Sequence, residues 1–119
     1  MNFLKKCLIY IVFSVSLLRF GLGCSLFKDE IWTAGGSTDG LGKLDVVEVL
    51  SLVTNTWRSG PTLTRGRYFL TMEVLDSSLV VFGGLGGEDS LETLNGEEWR
   101  EEPLQYQHDG HASVSVQCN

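Results

Sequence analysis

Two stretches of this chain follow the same order of landmarks, and that duplication constrains the fold more than any single residue does. The first runs Ile31-Trp32-Thr33-Ala34-Gly35-Gly36, and the second Leu79-Val80-Val81-Phe82-Gly83-Gly84. Each is a short, largely apolar run closed by two glycines. Behind the first come Val46-Val47-Glu48-Val49-Leu50 and then Trp57. Behind the second come Ser90-Leu91-Glu92-Thr93-Leu94 and then Trp99. Arginine follows each tryptophan, at Arg58 and Arg100. Gly35 to Gly83 is 48 residues, Glu48 to Glu92 is 44, and Trp57 to Trp99 is 42, so shorter loops in the second copy absorb the drift.

A strand-built repeat with a period of roughly 40–50 residues is the signature of a propeller blade. In Gly-Gly, Glu and Trp, taken in that order and twice, the chain resembles the kelch family. Arg67-Tyr68-Phe69 is similar to the family's segment that opens a following blade, and Gly110-His111-Ala112-Ser113-Val114 repeats it without the arginine. Leu50 and Leu94 stand where the family usually has tyrosine. The resemblance covers roughly residues 31–116. It implies an all-β fold of antiparallel four-stranded blades, with Gly35, Gly36, Glu48, Trp57, Arg67, Gly83, Gly84, Glu92 and Trp99 as the structural motif.

The residue chemistry agrees. Paired glycines after a strand allow positive φ and close approach of neighbouring backbone. The tryptophans offer large apolar area to pack between blades, and Arg67 can present its guanidinium fork to carbonyls at a blade junction. Leu79 to Phe82 is apolar without alternation, which suits a strand covered on both faces. Fourteen glycines against two prolines also favour tight turns over a proline-rich linker.

Eight strands are expected, near 30–34, 45–50, 56–58, 67–75, 79–82, 90–94, 98–101 and 111–116. They make about two blades, the last strand returning to complete the first. Closed propellers hold roughly four to eight blades. Three outcomes stay open: a piece of a larger propeller, several self-assembled copies in one ring, or two sheets packed face to face as a small domain.

The first 23 residues read as a separate object. Lys5 and Lys6 precede an uncharged, mostly apolar run from Leu8 to Leu18, and small residues follow at Gly21 and Gly23. This is the layout of a secretory signal helix, cleaved after Gly23 or, as the close alternative, at Ser25, and too short for a membrane span of about 20 residues. The expected domains are therefore 1–23, signal peptide, and 24–119, kelch-repeat region. Removal of Lys5, Lys6 and Arg19 leaves six basic and fifteen acidic residues, a net charge of −9. That balance argues against nucleic acid and against anionic membranes as partners. Cys24 and Cys118 remain near the two ends of the mature chain, and an oxidising compartment makes a disulfide between them the natural expectation.

Residues for chemistry are few. His108, Asp109 and His111 read as loop and strand-start positions rather than metal ligands, and Glu97, Glu98, Glu101 and Glu102 as a solvated, charged edge. No catalytic, metal or cofactor residue is expected. The expected function is a secreted interaction module that binds an extracellular protein through loops following each Gly-Gly. Ser37, Thr38 and Asp39 in one loop, and Leu85, Glu88 and Asp89 in the other, are the candidate contacts. Two rivals remain: part of a secreted propeller enzyme acting on sugars or by oxidation, and a carbohydrate-binding module using exposed aromatic rings.

Overall fold

The computed structural model describes residues 20–39 and 42–103, together with the backbone of two short strands at 105–106 and 112–113. The chain is all-β, and most of it forms two four-stranded antiparallel sheets. The first holds β1 (Gly23–Phe27), β2 (Glu30–Ala34), β3 (Val47–Ser51) and β4 (Thr56–Ser59). The second holds β5 (Thr71–Leu75), β6 (Ser78–Phe82), β7 (Ser90–Asn95) and β8 (Glu98–Pro103). Within each sheet the strands lie in chain order. A two-stranded ribbon follows, β9 (Gln105–Tyr106) paired with β10 (Ala112–Ser113).

Tight turns produce this meander. Lys28 and Asp29, between β1 and β2, both have positive φ (51° and 61°), as do Asp76 and Ser77 between β5 and β6 (52° and 65°). Two central residues of positive φ give the turn whose twist matches that of the flanking strands. Alternation then decides the faces. Trp32 and Ala34 on β2, with Val47 and Val49 on β3, point at the second sheet. Met72 on β5, Leu79 and Val81 on β6 and Trp99 on β8 answer them, with Leu63 and Leu70 filling from the connection between the sheets. This core lies between the two sheets, so each sheet is the other's main apolar partner. Ile31 and Leu50 form a smaller cluster on the opposite face of the first sheet, with half-buried Cys24 and Trp57 against it.

Several expectations hold. Leu79, Val80 and Val81 are buried, as their unbroken apolar run requires. Leu50 is buried, and Leu94 packs against the core, so leucine fills both positions where the family carries tyrosine. The glutamates of β8 lie along an exposed outer strand.

Two expectations need correction. The first sheet is not completed by a strand returning from near residue 111; β1 completes it, and β10 pairs with β9 instead. The physical reason is loop length. A two-residue turn joins β1 to β2, whereas a return from the far end closes a loop of most of the chain at a greater entropic cost. The strand expected over 67–75 begins only at Thr71. Phe69 has φ of 59°, which breaks the extended run, and Arg67 to Leu70 forms an irregular connection.

The signal helix expected in residues 1–23 lies, up to residue 19, outside the described residues. Gly23 is the first residue of β1, and Phe20 bridges to Ser37. The expected processing point after Gly23 thus falls within the first strand.

Candidate functional site

The connections between strands sort to two ends of the sheets. The two-residue turns described above, together with Gly96, lie at one end. The loops after Gly35-Gly36 and Gly83-Gly84, with the link from β4 to β5, lie at the other. This second end carries the expected binding loops.

Arg67 is the anchor of that end. It has no exposed side-chain surface and lies against Glu92, which has none either. Its Nε donates to Glu92 Oε2 at 2.9 Å. One terminal nitrogen donates to the carbonyls of Gly87 and Ser90, both at 3.0 Å, and of Gly83 at 3.3 Å. The other donates to Ser90 Oγ at 2.7 Å. The second oxygen of Glu92 accepts from the backbone N–H of Thr64 at 2.6 Å. A planar five-donor cation is the side chain suited to this many carbonyls at once. The fork expected of Arg67 at a blade junction is therefore present, and it ties the β6–β7 loop to the β4–β5 link. The backbone carbonyl of Arg67 also accepts from Gly36 N–H at 2.7 Å, linking the first Gly-Gly to the same hub. Gly35 has φ of 74°, and a side-chain carbon there would collide with that carbonyl and sit 2.9 Å from Leu70 Cδ2.

Outside this buried hub, Arg65 pairs with Glu101 near the surface. The Arg65 hydrogen bond holds the Glu101 carboxyl below its ordinary range against the opposing effect of burial, with Ser90 and Arg67 adding to it. Arg65 is pushed up in turn, chiefly by its hydrogen bond to Glu101.

The expected contact residues divide. Thr38, Asp39, Leu85, Glu88 and Asp89 are exposed. Ser37 is fully buried; its N–H donates to the Phe20 carbonyl and its hydroxyl meets Asp39, so it shapes the loop from beneath. Cys24 is half-buried on β1, and Cys118 lies outside the described residues, as do His108 and His111. Trp32 and Trp99 are buried in the core, which takes two of the three tryptophans from the sugar-stacking reading, and Trp57 is half-buried.

Sequence reasoning missed an aromatic patch on the same end. Phe20, Tyr68 and Phe69 meet edge to face or tilted, with ring centroids 4.8 to 6.5 Å apart. Phe69 is 64% exposed, Phe20 46% and Leu85 41%. Tyr68 pairs its backbone with Leu85, and Phe69 N–H donates to the Gly21 carbonyl at 2.5 Å. Phe69 adopts the left-handed region, which a bulky residue rarely does, and holds its ring toward solvent there. The only available signal was three aromatics in two similar segments, and Phe20 was hidden by its place in the apolar leader.

The opposite end carries a cleft of about 650 Å³ lined by Phe27, Trp32, Arg58 and Leu94 among others. Arg58 there is committed to Glu30 and stacks 5.8 Å from the Trp32 ring. Among the described residues, no three His, Cys, Asp or Glu side chains converge as metal ligands would.

Residues 18–64 match the family model described as the Kelch motif. No curated protein matches the sequence. A solved structure titled "Structure of YjhT" has the same fold over 79% of this chain, with a TM-score of 0.62 and 13% identity. The chain spans 39% of that structure's length.

Proposed function

We propose that the protein is a secreted interaction module, and that the end carrying the Gly-Gly loops binds an extracellular protein through Phe69, Phe20, Tyr68 and Leu85. The observation that carries this reading is the exposed Phe69 ring, held out by a backbone conformation that costs energy. Strain of this kind persists where the surroundings over-determine it, and it concentrates at binding and switch sites. Aromatic anchors supply most of the energy of protein interfaces, inside a rim that excludes water. Here Thr38, Asp39, Glu88 and Asp89 would form that rim, and its acidic residues favour a partner with a basic surface. The kelch-motif match supports an interaction role. The leader-like sequence supports secretion, and in an oxidising compartment Cys24 would be disulfide-bonded. Cys118 is the proposed partner; non-reducing peptide mapping that joins Cys24 to another cysteine would overturn that pairing.

The test is binding of the secreted protein to a panel of purified extracellular domains by surface plasmon resonance. A captured domain should lose affinity at least about tenfold with Phe69→Ser, the loss expected of an interface hot spot. It should be indifferent to Val53→Ser, which alters an 82% exposed apolar residue in the β3–β4 loop. Binding that survives Phe69→Ser sinks the proposed face.

A further inference from the structure

The β7–β8 hairpin turns on two residues. Asn95 pairs with Glu98, which leaves Gly96 and Glu97 at the centre of the turn. Gly96 has φ of 68°, and glycine is the residue that opens such a turn with positive φ. Asn95, Gly96 and Glu97 are all exposed. The N–H of Gly96 makes no hydrogen bond among the described residues, and a Cβ built on Gly96 would meet nothing within 4 Å. An asparagine side chain therefore stands beside a backbone nitrogen that is shielded neither by a side chain of its own nor by a neighbouring element.

Asn55, in the β3–β4 turn, is the contrast. Its own N–H donates to the Ser51 carbonyl at 2.8 Å. The nitrogen that follows it belongs to Thr56, a β-branched residue paired with Ser51 as the first residue of β4. Both asparagines lie at hairpin turns, so the difference between them is the residue that follows.

From this contrast we infer that Asn95–Gly96 is a self-modifying site, where Asn95 loses its amide to become isoaspartate, with aspartate as the minor product, and loosens the hairpin as it does so. The Gly96 nitrogen gives its proton to water and attacks Asn95 Cγ. The new N–Cγ bond closes a five-membered succinimide, the bond from Cγ to the amide nitrogen breaks, and that nitrogen takes up a proton and leaves as ammonia. Water then opens the ring. Opening at the side-chain carbonyl gives aspartate; opening at the backbone carbonyl gives isoaspartate, with the main chain running through the former side chain. Water enters, ammonia leaves and no electrons are exchanged. Asn95 is the last residue of β7, so the attack occurs when the hairpin tip frays, and exposed tips open most readily.

Isoaspartate adds one methylene to the main chain at the turn. Directly behind the turn Leu94 pairs with Trp99. Both belong to the core between the sheets, and Trp99 Nε1 holds the Pro61 carbonyl. The turn sets the register of a hairpin, so lengthening it pulls on this pair. Either product also adds a carboxylate to the cleft at this end, whose charged lining is otherwise balanced, Lys28 and Arg58 against Glu30 and Glu97.

To test this, the purified full-length chain is held at body temperature in heavy-oxygen water, at neutral and at mildly alkaline pH, and then cut with trypsin. The peptide Tyr68–Arg100 contains no other asparagine and no glutamine, so any side-chain amide it loses is that of Asn95. The peptide Leu44–Arg58 carries Asn55 as the internal reference. Tyr68–Arg100 should take up heavy oxygen several-fold faster than Leu44–Arg58, faster again at alkaline pH, and should become a substrate for an isoaspartyl methyltransferase. Equal rates in the two peptides, or no uptake at Asn95, overturn the site; aspartate without isoaspartate overturns the succinimide route. The loosening is read separately. The aged protein should unfold at a lower urea midpoint than fresh Asn95→Asp, which carries the charge without the methylene. Matching midpoints overturn it, as does an equal decline in Asn95→Ser aged alongside.

Discussion

Arg67 Nε lies 2.9 Å from Glu92 Oε2, with neither side chain exposed at all. The pair is buried together with the carbonyls and hydroxyl that use up the rest of the guanidinium, so its desolvation is answered by hydrogen bonds rather than by charge alone. Removing one partner strands the other. Arg67→Met should therefore destabilise the protein by about 3–5 kcal/mol, the range for an uncompensated buried charge. Arg67→Lys should recover little, because an ammonium cannot reach Glu92 and three carbonyls at once. Urea unfolding of the variants checks both, and a lysine variant as stable as the parent contradicts the geometry.

Gly35 and Gly83 both have positive φ, 74° and 72°, but their surroundings differ. A Cβ at Gly83 meets nothing within 4 Å, whereas one at Gly35 strikes the Arg67 carbonyl. Gly83→Ala should cost about 1–2 kcal/mol, the left-handed penalty for a residue with a Cβ. Gly35→Ala should cost clearly more, since the Arg67 backbone must also move. Thermal melts of the two variants that shift equally would show that only φ matters.

The tryptophans at equivalent places in the two sheets are bonded differently. Trp99 Nε1 donates to the Pro61 carbonyl at 2.8 Å, while the buried Nε1 of Trp57 has no hydrogen-bond partner among the described residues. Trp99→Phe should cost roughly 1 kcal/mol more than Trp57→Phe, the net value of one hydrogen bond. Equal losses in denaturant titrations would mean that lost ring area alone sets both.

Glu101 supplies a pH dependence. Its carboxyl is held low in the folded protein, first by the Arg65 hydrogen bond, so the unfolded chain takes up the proton at a higher pH. The stability it adds is present above the ordinary glutamate range, near pH 4.3, and is lost as pH falls through the lower folded value. Melting temperature should therefore decline on acidification through this window, and Glu101→Gln should flatten part of that decline. Because the pair sits near the surface, added salt should reduce the effect. An unchanged acid profile in Glu101→Gln refutes it.

Much of the architecture was legible because the landmarks are local. Gly-Gly marks the end of β2 and of β6, Glu48 and Glu92 fall on β3 and β7, and Trp57 and Trp99 lie on the outer strands that follow. Even the role of Arg67 followed from its donor inventory. β1 was hidden because its residues adjoin an apolar run that reads as a leader, and periodicity over five residues cannot separate the two. The aromatic patch was hidden for another reason. Phe69 is exposed by a φ that its residue type disfavours, so propensity placed it inside a strand.

Each sheet is made from one unbroken stretch of chain, yet the side-chain bonds of Arg67 run to Gly83, Gly87, Ser90 and Glu92, at least 16 positions further along. A ribosome delivers the chain from its N-terminus, so the first sheet can assemble while the acceptors of its junction have still to be made. Arg67 must then wait, solvated, until Glu92 emerges. The junction acts as a latch set by the order of synthesis, one that closes only after the second sheet exists to be held.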